Sequence, residues 1–203
     1  VKSTFKKYSE YNNSNYITGA QAARNILDSK GLYYVQIRPV SGNLTDYYDP
    51  RNRTLNLSES VYNSTSLSAV GVAAHESGHA VQHKEGYAPM KLRSSLVPAA
   101  NIGSGVGPYM AIFGIIFSIP FLIKLGIILF TVAVAFYLIT LPVEIDASRR
   151  AVKILQSECI LNSNEIVPVK KVLTAAAMTY VASAAVAMAN LLRLVLLARD
   201  NRN

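Results

Sequence analysis

Hydrophobic and polar positions divide this chain into unequal parts. Through residue 93 short apolar runs are interrupted by polar and tyrosine-rich stretches. Beyond that, residues 94–143 carry a single charged side chain, Lys124, and residues 172–192 carry none. Within the first part, Asn12, Asn13 and Asn15 read as a solvated entry segment. Thr18 can cap a helix over residues 20–27 that Gly31 ends. Residues 33–38 alternate and are aromatic or β-branched, which predicts a strand stopped by Pro39. Turns at Ser41-Gly42-Asn43 and Asp49-Pro50-Arg51-Asn52 flank a short hairpin of residues 46–48 with 53–57. Ser58 caps a brief helical turn, and a longer helix follows from about Ser66 to His83.

A hydrocarbon core about 30 Å thick is crossed by roughly 20 apolar helical residues. Residues 95–143 therefore suffice for two passes and a turn. Residues 120–126 are the natural turn, because Lys124 at a bilayer centre would cost at least about 2.5–3.5 kcal/mol. Pro98, Gly103, Gly105, Gly107 and Pro108 predict an irregular first span whose early part is re-entrant or packed in protein. The last apolar run is rich in alanine, which lets helices approach closely in lipid. The expected fold is an α+β membrane protein, mainly α-helical, with a small antiparallel sheet and about three transmembrane helices. Four segments follow: a polar subdomain at 1–93, a transmembrane hairpin at 94–143, a helix and loop at 144–171, and a C-terminal transmembrane helix at 172–203.

Composition sharpens this picture. Of 203 residues, 16% are charged, against about 25% in globular chains, too few to keep a whole surface wet. The net charge of +8 could suggest nucleic acid, but the cations sit at the ends of apolar runs. Lys84, Lys91 and Arg93, then Arg149, Arg150 and Lys153, then Lys170 and Lys171 are placed for anionic headgroups, so a bilayer is the expected partner and nucleic acid is not. With Lys124 alone in the intervening turn, the positive-inside rule puts the segments around residues 84 and 149 on the cytoplasmic face; Arg193, Arg199 and Arg202 argue the other way for the last span. Cys159 is the only cysteine, which excludes an intrachain disulfide and a cysteine-based metal cluster.

The chemistry lies in His75-Glu76-Ser77-Gly78-His79. Positions four apart share a helix face, with Cβ atoms about 5–6 Å apart, so two imidazoles can reach one Zn²⁺. Glu76, one residue along, can serve as general base toward a zinc-activated water. Gly78 would keep the helix face low and leave room for a peptide. A catalytic zinc takes a third protein ligand. Glu85 stands where a metzincin would place a histidine, and His83 continues a straight row that cannot close around a tetrahedral metal. Two passes return the chain to the side it left, where Glu144 and Asp146 are the first acids it meets, Glu144 being the preferred ligand. Pro142 suits a break between the span and a new helix carrying Glu144. A peptide substrate would lie along an exposed strand edge at residues 54–57, with His83, Tyr47, Tyr48 and Arg150 as undistinguished oxyanion donors. The alternative is a non-catalytic membrane adaptor with a structural zinc site.

Several strings together resemble the YugP-type membrane zinc metallopeptidases, similar in plan to the HtpX and CAAX prenyl proteases. They are Thr18-Gly19-Ala20, Gly42-Asn43-Leu44-Thr45-Asp46, Tyr48-Asp49-Pro50, residues 57–62, the His75–His79 segment, and Leu141-Pro142-Val143-Glu144. The resemblance implies a bacterial-type plasma-membrane metalloendopeptidase with a gluzincin-like active-site helix, Zn²⁺ as cofactor, and a further span before Val1. The wider group often writes its third-ligand segment Glu-x-x-Ala-Asp, the Asp orienting a zinc histidine. Ser148 occupies that position here, which leaves Ser148, Asp46 and Asp49 as rival partners for His75.

Overall fold

The computed structural model describes residues 1–200, and Arg202 lies outside them. The element order is α1 (Lys2–Ser9), α2 (Gly19–Ser29), β1 (Gln36–Val40), β2 (Tyr47–Asp49), β3 (Thr54–Ser58), α3 (Glu59–Tyr62), α4 (Leu67–Lys84), α5 (Ala88–Ile116), α6 (Pro120–Ser157) and α7 (Ser163–Asp200). The chain divides into two compact units, residues 1–87 with 144–178 and residues 88–143 with 179–203.

In the first unit the entry segment is more structured than its asparagines suggested. Residues 2–9 form the exposed helix α1. Asn13 is buried and its side-chain amide donates to the Ile17 and Thr65 carbonyls, pinning the segment to the start of α4. A reciprocal capping box of Thr18 and Gln21 starts α2, and Gly31 follows its end at φ +64°. The buried residues Ala22, Ala23, Ile26 and Leu27 recur at helical spacing and form the face of α2 that packs on α4.

The mainly helical plan with a small sheet is present, but the sheet is mixed. β2 pairs antiparallel with β3, as the turn chemistry predicts, whereas β1 pairs parallel with β3, in the order β1-β3-β2. The chain leaves β1, makes β2 on the far side, and returns as β3 between the two. β3 is therefore central and buried along its whole length, so residues 54–57 are not the exposed edge expected of them. Nor does Pro39 stop β1. It lies inside an edge strand, where a missing N–H costs no ladder bond. Tyr33 and Tyr34 precede the strand with exposed rings, while Leu32 and Val35 fill the core.

The helices α5, α6 and α7 are, among the described residues, long and apolar enough to cross a membrane. In the second unit, α5 is one continuous helix through Pro98 and Pro108, not an irregular or re-entrant segment. Its glycines serve contact: a Cβ on Gly103 would lie 2.2 Å from the Leu129 carbonyl oxygen, and one on Gly126 2.4 Å from the Ala111 nitrogen. The turn falls at residues 117–119, and Pro120 opens α6, where its missing N–H and fixed φ suit a first helical position. Lys124 is thus helical and exposed. Pro142 makes no break either, since α6 continues from Pro120 through Ser157. A proline inside a helix removes one backbone bond but does not forbid continuation when packing holds both sides.

Candidate metal centre

Ser66 caps α4 by accepting from the Ala69 N–H, and the helix then runs through an alanine-rich buried stretch carrying His75, Glu76 and His79. On the segment of α6 that belongs to the same unit, Glu144 faces the two imidazoles. Its Oε2 is 3.1 Å from His75 Nε2 and 3.5 Å from His79 Nε2. One ligand atom from each residue lies within 4.8 Å of the others, making the triad a potential metal site. The rings of His75 and His79 meet edge to face at 4.8 Å between centroids. Both Nδ1 atoms are already engaged, His75 with Ser148 Oγ at 3.0 Å and His79 with Gln82 Oε1 at 2.9 Å. The two Nε2 atoms are left turned toward Glu144. Two convergent imidazoles and a carboxylate, with His79 and Glu144 buried and His75 half-buried, are the donor set that zinc takes.

Close approach of the two helices makes this possible. A Cβ on Gly78 would stand 2.6 Å from the Ala147 carbonyl oxygen, so this glycine admits the α6 backbone. The space expected for a peptide at Gly78 is filled by Ala147. Asp146, the rival for third ligand, is turned away and accepts from Gln82 Nε2 at 2.8 Å and Arg150 Nε at 2.5 Å. Arg150 is committed to Asp146 and Glu85. Ser148 is the partner of His75; Asp46 instead accepts from the Ser58 N–H and hydroxyl, and Asp49 from the Arg51 N–H and the Asn52 amide.

Glu76 lies beside the triad. Its Oε2 accepts from the Tyr48 N–H at 3.1 Å, which brings the backbone of β2 to the carboxylate. Burial pushes the Glu76 carboxyl above its ordinary range, with His75 and His79 pulling against that shift. For His79 burial acts to lower the pKa, but the hydrogen bond to Glu144 and the charge of Glu76 outweigh it and the net direction is up. The Tyr48 hydroxyl bonds His83 Nδ1 at 2.9 Å, and burial pushes its pKa up to about 12. Tyr47 is an exposed ring. The residue that sequence reasoning missed is Gln82. Its signal was available: a polar residue three positions after His79, on the same helix face as the metal pair.

A family model described as "Putative neutral zinc metallopeptidase" matches residues 1–199. The chain belongs to that family. Zinc is accordingly its cofactor, and a peptidase-like protein is what the family describes. "Putative membrane protease YugP" of Bacillus subtilis (strain 168) is 51% identical to the chain over 203 residues, which cover 100% of this chain and 90% of that protein. No solved structure matches the chain.

Proposed function

We propose that this protein is a membrane-embedded, zinc-dependent metalloendopeptidase with a gluzincin-like site, in which His75, His79 and Glu144 hold the metal and Glu76 is the general base. The observation that carries this reading is the convergence of three ligand atoms beside a second carboxylate, Glu76, that is not part of the triad. Bound there, zinc would supply Lewis-acid polarisation of a carbonyl and a water acidic enough to react near neutral pH. The remaining tasks fall to the chain itself. A carboxylate whose pKa is raised is suited to take up a proton and pass it to a leaving amine. The Tyr48 N–H points to Glu76, so an extended peptide pairing with the outer edge of β2 would pass that carboxylate. The likeness to the Bacillus subtilis relative supports a bacterial-type plasma membrane, and the cations flanking the apolar runs favour the cytoplasmic face for the site.

Two variants of the detergent-purified protein test the assignment. Glu76→Gln is expected to keep stoichiometric zinc while cleavage of a casein-like substrate falls by about 10²–10⁴-fold. Glu144→Ala is expected to lose zinc by metal analysis. Undiminished proteolysis by the Glu76→Gln protein would overturn the catalytic reading and leave a structural zinc site in its place.

A further inference from the structure

The hydrogen bonds around Gln82 have a direction, and that direction can be traced. Arg150 carries only donors, and its Nε donates to Asp146 Oδ2 at 2.5 Å. An ionised Asp146 can only accept, so the Gln82 group 2.8 Å from the same oxygen is the amide nitrogen. The amide is planar, which turns its Oε1 toward His79 Nδ1 at 2.9 Å. An oxygen there can only accept, so the proton of a neutral His79 must sit on Nδ1. The lone pair is then on Nε2, the nitrogen facing Glu144. The opposite tautomer would set two lone pairs against each other in a place where Gln82 is fully buried.

We propose that Gln82 is a positioning residue that holds His79 in its Nδ1–H tautomer and aims Nε2 at the metal site, with its polarity dictated by Asp146 and Arg150. The inference rests on the reading of His75, His79 and Glu144 as zinc ligands. It also assigns work to the remaining α4–α6 contacts. Arg150 reaches on to Glu85 at the end of α4, so the relay begins and ends on the helix that carries His79. An amide suits residue 82 because its separate, coplanar oxygen and nitrogen accept on one side and donate on the other. A glutamate would satisfy His79 but place its carboxylate against that of Asp146. An apolar residue would satisfy neither.

The test is a cycle on the full chain in detergent, read by zinc affinity in chelator competition and by the ¹⁵N histidine spectrum of the zinc-loaded protein. Gln82→Leu and Gln82→Glu should each lower zinc affinity by about 10–100-fold, and Gln82→Leu should give mixed tautomers at His79. Gln82→Glu combined with Asp146→Asn should recover most of that loss. In the double variant the new amide nitrogen stands where the shared Asp146 Oδ2 stood and donates to the new carboxylate, which also accepts from His79, while Arg150 gives up that bond and keeps its pair with Glu85. A wild-type protein that takes up no zinc would sink the metal-site reading itself. If the wild type binds one zinc and both single variants bind it equally well, the Gln82 inference alone fails. Should the leucine variant not fold, the comparison of Gln82→Glu with the double variant decides, and no recovery in the double overturns the proposal.

Discussion

At the residue scale, the two imidazoles are held by different chemistry. His79 leans on an amide backed by a carboxylate and a guanidinium, whereas His75 leans on the hydroxyl of Ser148. A neutral hydroxyl is a weaker acceptor than a carboxylate, since charge-assisted hydrogen bonds are roughly twice as strong. Ser148→Ala should therefore weaken zinc binding by about tenfold, the lower end of the effect expected for a lost ligand partner. Ser148→Asp, which restores the acid usual in the wider group, should match or exceed the wild-type affinity. Chelator competition on the three proteins checks the order. An alanine variant binding as tightly as wild type would mean that the hydroxyl does not orient His75.

At the element scale, the pairing of α4 with the nearby segment of α6 determines whether a site exists. Its centre is Gly78 against the Ala147 carbonyl, flanked by His75 with Ser148 and by Gln82 with Asp146. Two effects of Gly78→Ala oppose each other. Helix propensity favours alanine by about 0.8–1 kcal/mol. The new methyl would sit 2.6 Å from a backbone oxygen that cannot rotate away, and overpacking of this kind costs about 1–3 kcal/mol. The clash should win, giving lower thermal stability and reduced zinc content. A stabilised, fully loaded Gly78→Ala protein would show that the helices can separate without harm to the site. The glycines of α5 and α6 follow the same logic in the second unit, where small residues replace hydrophobic driving force as the basis of helix association.

At the scale of the whole molecule, three apolar helices and a sparse complement of charges describe a protein that belongs with lipid. The exposed large apolar side chains of these helices include Ile102, Phe113, Phe121, Val186 and Leu192, a surface that water would not tolerate in such number. Orientation has a built-in reporter. Cys159 is the only cysteine and is exposed, and it belongs to the same unit as the metal triad. With the site on the cytoplasmic face, a membrane-impermeant maleimide should label Cys159 in lysed cells but not in intact spheroplasts. Labelling of intact spheroplasts would place it outside and reverse the positive-inside argument.

The features legible in the order of residues alone are local or compositional. Helical periodicity puts His75 and His79 on one face, because residues four apart always share it. Capping and turn residues located α2, α4 and the β2–β3 hairpin, and the charge-free runs located the apolar helices, because these signals act over a few neighbours or by summed composition. Packing in three dimensions settled the rest. Glu144 and Asp146 differ by two positions, which on a helix is about 200° of rotation, so the packing of α6 on α4 selects which acid meets the imidazoles. The parallel entry of β1, the burial of β3 and the continuity of α6 through Pro142 likewise depend on partners distant in sequence. Gln82 stands between the two: its place on the histidine face is local, but its partners Asp146 and Arg150 come from a helix distant in sequence.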